Sequence, residues 1–158
     1  MKTDDLFNRF VAVLDALEKE KVDYIVIGGF AIVLHGMPRF TQDIDLFVRS
    51  GDENILKLQK ALYSVFGDNS IFEITNSELQ NYPVIRYGSD EGFSIDIVSK
   101  IGDAFAFEDL QSEEVNIERH TVRIATVETL YRLKEKTYRA VDQNDLLFLK
   151  ELMNKRKR

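Results

Sequence analysis

The chain has no cysteine, only two prolines and two histidines, and no apolar run of bilayer-crossing length. Each shortage excludes something. Without cysteine there is no disulfide, no thiol nucleophile and no Cys-based zinc site. His35 and His120 are too few for a His-rich metal centre. A membrane helix needs about 18 or more consecutive apolar residues, so no membrane partner is expected. No Pro/Ser-rich linker and no internal repeat divides the sequence. Residues 1–158 therefore read as one domain, with a C-terminal helical segment over about 126–158. The acidic start Met1-Lys2-Thr3-Asp4-Asp5 lacks a secretory apolar core, so a cytoplasmic protein is expected.

Basic charge is also in short supply: 21 Lys and Arg against 27 Asp and Glu, a net charge of −6. That excludes broad electrostatic adhesion to nucleic acid, though not a local basic groove. The final Lys155-Arg156-Lys157-Arg158 reads as a solvated helix end or as a contact for nucleic acid or an acidic partner.

What is present has clear periodicity. Leu6, Phe10, Val13, Leu14 and Leu17 predict a helix over 3–19. Tyr24 to Ile27 is a short continuous apolar run, a buried strand that stops at Gly28-Gly29. A short helix over Phe30–Leu34 follows, ended by Gly36 and Pro38. Ile44, Leu46 and Val48 alternate with charged residues as in a strand, and 52–66 is amphipathic and helical. Strands are expected at Ile71–Ile74, Val84–Tyr87 and Phe93–Val98, the last two joined by a hairpin connection at Ser89–Gly92. Two more, Val115–Ile117 and Val122–Ile124, flank a turn at Arg119-His120. From Thr126 the pattern is helical, with Asp142 as cap of the last helix. The fold class is α+β (α/β mixed), with a small mixed sheet.

Three features carry chemistry. Gly28-Gly29, between a buried strand and a helix start, lets a ligand approach the backbone and offers free N–H groups to phosphate. Asp43 and Asp45, two apart on a strand, share a face, while Ile44 points into the core. Their mutual repulsion raises proton affinity unless a cation sits between them, and hard oxygen ligands suit Mg2+ or Mn2+. Asp96, between Ile95 and Ile97, must face solvent or a site. If its strand neighbours that of Asp43 and Asp45, three carboxylates converge, enough for one or two divalent ions.

The stretch Gly28-Gly29-Phe30-Ala31 through His35-Gly36, Arg39, Thr41 and Asp43-Ile44-Asp45-Leu46 resembles the nucleotidyltransferase superfamily, whose fold is related to the palm-like core of DNA polymerase beta. The likeness is strong over residues 22–48 and 93–98. It is nearest to small members of the abortive-infection type and to aminoglycoside- or lincosamide-modifying relatives. More weakly, Leu130 to Lys134, Arg139, Asp142 and Asp145 resemble the C-terminal helices of the abortive-infection group.

The resemblance implies a nucleotidyltransferase fold with C-terminal helices. It implies Asp43, Asp45 and Asp96 as catalytic and metal-binding residues, with Mg2+ or Mn2+ as cofactor. Gly28, Gly29, Arg39, Thr41 and Lys134 would bind the nucleotide. The Arg39 fork matches phosphate oxygens, and Thr41 would donate to the nucleotide or to Asp43. His35 would orient a phosphate or cap its helix. The implied partners are an NTP such as ATP and an acceptor hydroxyl on RNA, protein or a small molecule. A toxin–antitoxin setting, and a homodimer or partner protein, are compatible with it. A second reading is an inactive binding module on the same fold, acting as antitoxin or regulatory partner.

Overall fold

A computed structural model defines residues 3–38, 41–103, 105–136 and 143–156. The expectations for Arg39, Arg139, Asp142 and the last two tail residues fall outside that set. The first helix, α1 (Thr3–Lys19), buries Leu6, Phe10, Val13, Leu14 and Leu17 as its spacing predicts. It is followed by β1 (Tyr24–Ile27), all four residues buried. The next helix, α2 (Gly28–Leu34), starts two residues earlier than expected, so both glycines belong to its first turn. Then come β2 (Asp43–Val48) and α3 (Asp52–Phe66), the latter closed by Gly67 in the left-handed region at φ 62°.

The middle of the chain differs from expectation. Ile71–Ile74 is not a strand: a 3-10 helix occupies Asn69–Glu73. The Asp68 carboxylate accepts the Ser70 N–H, and Ile71 and Ile74 are buried at a spacing of three while Phe72 and Glu73 are exposed. That is a single-turn pattern rather than a strand pattern. Gln59 Nε2 donates to the Ile74 carbonyl at 2.8 Å, replacing a ladder bond. A further short helix, α4 (Asn76–Asn81), was not expected; Thr75 Oγ1 caps it by accepting the Glu78 N–H.

The remaining strands are β3 (Ile85–Gly88), β4 (Ser94–Val98), a small hairpin of β5 (Lys100–Ile101) and β6 (Phe105–Ala106), then β7 (Ser112–Ile117) and β8 (His120–Ala125). The β7–β8 turn is Glu118-Arg119, both at positive φ, so His120 opens a strand instead of lying in the turn. There Asp15 Oδ1 lies 2.9 Å from its Nδ1. The chain closes with α5 (Val127–Lys136) and α6 (Gln143–Arg156).

Six strands form one mixed sheet in the order β3-β4-β2-β1-β8-β7. The β2/β4 and β1/β8 pairs are parallel and the others antiparallel. Phe10 of α1 meets Phe30 of α2 edge-on at 4.9 Å and Phe93, just before β4, at 5.2 Å. Such pairs add about 0.5–1.5 kcal/mol each beyond their burial. They lock the first turn of α2 and the start of β4 to the same helix. Among the described residues no helix is long and apolar enough to cross a membrane.

Candidate functional site

The sheet register builds the site. Across four strands one row reads Arg86 on β3, Asp96 on β4, Asp45 on β2 and Ile27 on β1. Asp43 lies two residues before Asp45 and so shares its face, while Ile44, Ile95 and Ile97 are fully buried. Asp43, Asp45 and Asp96 therefore meet because β2 and β4 pair in parallel with Asp45 directly opposite Asp96.

Gly28 follows Ile27, and the pairing of Ile27 with Asp45 sets that glycine against the carboxylate. Its φ is +70°, and a Cβ there would lie 1.9 Å from Asp45 Oδ2. Only glycine fits on both counts. Gly29 is the second residue of α2. Thr41 Oγ1 donates to the Asp43 carbonyl at 3.1 Å and accepts the Asp43 N–H at 3.3 Å. Thr41 thus shapes the backbone where β2 begins.

The electrostatics are unbalanced. Burial, then the charge and hydrogen bond of Asp96, then the charge of Asp43, push the Asp45 carboxyl up to about 7; Lys134 pulls it the other way. Arg86 brings a positive charge against Asp96. Its Nε donates to Asp96 Oδ1 at 2.7 Å and its Nη2 to Asp96 Oδ2 at 2.9 Å. The same Nη2 lies 3.8 Å from Asp43 Oδ2. These carboxylates, Asp96 first, hold the guanidinium above its ordinary value.

The α5 helix covers this face. Leu130, Leu133 and Lys134 join Gly28, Asp45 and Asp96 in lining a cavity of about 260 Å³. Lys134 Nζ also sits 3.3 Å from Asp145 Oδ2 of α6, with both side chains largely buried. His35 is held elsewhere: its Nε2 donates to the Ala125 carbonyl at 2.9 Å, tying the end of α2 to the end of β8. That is a structural role.

Arg86 was missed by sequence reasoning, although a signal exists. Closing a hairpin around Ser89–Phe93 pairs Gly88 with Ser94 and hence Arg86 with Asp96. Counting along that register from Asp96 finds it.

The donor set suits a hard divalent ion: three carboxylates on one face, with Arg86 bearing on Asp43 and Asp96 and Lys134 on Asp45. Among the described residues no three His, Cys, Asp or Glu side chains form a ready-made metal cage. The chemistry of the donors fits Mg2+ or Mn2+, and Arg86 is the group that stands against them.

A family model described as nucleotidyl transferase of unknown function (DUF2204) matches residues 6–158. No curated protein sequence matches the chain. Solved structures share the fold. A Thermotoga maritima protein assigned to the nucleotidyltransferases superposes with a TM-score of 0.56 at 17% identity, covering 98% of this chain and 96% of that one. The lincosamide antibiotic adenylyltransferase LnuA, with lincomycin bound, gives 0.56 at 18% identity over 90% of this chain and 95% of its own. An antigenic nucleotidyltransferase-like protein from Paracoccidioides brasiliensis gives 0.58 at 16% identity, over 96% and 78%.

Proposed function

We propose that this chain, which belongs to the family described as nucleotidyl transferase of unknown function (DUF2204), moves a nucleoside monophosphate from an NTP such as ATP to an acceptor hydroxyl. The observation that carries this reading is the in-register opposition of Asp45 and Asp96, with Asp43 on the same face and Gly28 against Asp45.

Asp43, Asp45 and Asp96 would hold Mg2+ or Mn2+. When bound, such an ion neutralises phosphate charge and acidifies an attacking hydroxyl. The chain's own groups do the rest. Gly28 and Gly29 let the triphosphate approach the backbone. Lys134, on the cavity wall, brings positive charge toward the phosphates, and Arg39 and Thr41 serve the nucleotide. Asp96 accepts the acceptor's proton. The acceptor oxygen bonds to the α-phosphorus as the bond to pyrophosphate breaks. The acceptor belongs to an RNA end, a protein side chain or a small molecule; the first two would suit a toxin–antitoxin role. A single domain is supported by one apolar cluster running from Leu6 to Leu149. Use of NTP and the absence of cysteine suit the cytoplasm.

The test needs no acceptor. Thermal unfolding is followed with ATP, GTP, CTP and UTP, with and without Mg2+, for wild type and Asp43→Asn. Ligand at 100 times its dissociation constant adds about 2.7 kcal/mol, a rise of several degrees. The expected result is a Mg2+-dependent shift that Asp43→Asn abolishes. No shift with any nucleotide turns the reading to the inactive binding module.

A further inference from the structure

Arg86 has no place in the chemistry above, yet it is bound directly to the site's carboxylates. Its fork engages both oxygens of Asp96 at 2.7 and 2.9 Å, and Nη2 reaches toward Asp43 at 3.8 Å. It lies on β3, directly opposite Asp96 in the ladder, so its backbone cannot drift from the carboxylates. Its side chain is 60% exposed, whereas that of Asp96 is 15% exposed. The cation's side chain reaches solvent, while the anion is largely covered. Planar bidentate pairing of this kind uses the same oxygens that a hard divalent ion needs.

Building on the proposed transferase reading, we propose that Arg86 is the resident counter-cation of Asp43 and Asp96 and must leave before a divalent ion binds there. Arg86 thus sets the metal affinity of the free protein and opposes metal loading in the absence of nucleotide. An incoming triphosphate offers the displaced guanidinium other anionic oxygens. Nucleotide and metal therefore bind cooperatively through this one side chain.

Mn2+ binding to the nucleotide-free protein, followed by calorimetry and by the electron paramagnetic resonance of free Mn2+, tests this. Arg86→Gln is expected to bind Mn2+ at least about tenfold more tightly than wild type. Arg86→Lys, which keeps the charge but loses the fork, is expected to fall between them and guards against a misfolded Gln variant. A non-hydrolysable ATP analogue is expected to tighten Mn2+ binding in wild type more than in Arg86→Gln. Equal or weaker Mn2+ affinity in Arg86→Gln, with binding still lost in Asp45→Asn, overturns the role of Arg86 and leaves the transferase reading standing. Wild-type Mn2+ affinity in Asp45→Asn overturns the metal site itself, and with it both readings.

Discussion

Two arginines stand at opposite ends of β2 and teach different things. Arg49, just past the strand, donates to Asp23 at 3.0 Å and to Glu108, and stacks over the Phe107 ring at 4.6 Å. Its two acids come from separate segments, and the arginine lies between them. Arg86 faces acids that the sheet forces together: Asp45 and Asp96 stand opposite each other in register, with Asp43 beside them. At the first end a cation recruits anions; at the second, anions crowd whether or not a cation comes. Crowding of like charge on a rigid scaffold is the mark of a site, and spaced pairing is the mark of a surface brace.

Activity separates the two ends most strongly. Asp43→Asn is expected to lower transfer more than about 1,000-fold, since metal-held phosphate charge is worth several kcal/mol of barrier. Arg49→Ala is expected to stay within about threefold, an outcome labelled-NTP assays with the identified acceptor would read. Equal losses would erase the contrast.

Glycine offers the next contrast. Gly28 and Gly67 have nearly equal φ, 70° and 62°, but only Gly28 has a carboxylate where a Cβ would go. Gly67→Ala is expected to cost about 1 kcal/mol and Gly28→Ala about 3 kcal/mol, from strain plus overpacking. Urea titrations measure both.

Asp45 gives a pH signature. Its folded-state value of about 7 exceeds the ordinary 3.8. The unfolded chain releases this proton at lower pH, so metal-free wild type loses stability as pH climbs from about 4 to 7 and stays lower above that. Asp45→Asn is expected to add about 1–3 kcal/mol at pH 8 in EDTA and little at pH 4. A gain of the same size at both pH values would show that charge is not its source. The smallest effect belongs to the brace: Arg49→Ala is expected to cost less than about 1 kcal/mol, because all three side chains are well exposed.

Sequence reading reached the elements whose signal is local. Tyr24–Ile27 and the β2 alternation are single-strand patterns, and α1 and α3 each carry one apolar face. Asp43 and Asp45 share a face by spacing alone. What could not be read locally is partnership. Nothing in Asp43-Ile44-Asp45 says that β4 lies beside it, since the parallel pair spans about fifty residues with other elements between. The approach of Lys134 to the same cavity depends on how α5 packs. Ile71–Ile74 misled because two buried isoleucines three apart fit either a strand fragment or a tight turn, and the Asp68 cap decided it. Arg86 was within reach through the hairpin count, but it lies in a stretch, 50–90, that carries no motif of its own.

The parallel pairing of β2 with β4 also constrains how the molecule folds. Ile44 and Ile95 alternate with the carboxylates along the same two strands. A slip of one residue would drive Asp45 into the apolar interior and turn Ile44 out to water. The hydrogen-bond ladder that assembles the core is therefore the one that aligns the acids. A mispaired intermediate would lose both at once, so the chain proofreads its chemistry in the act of folding.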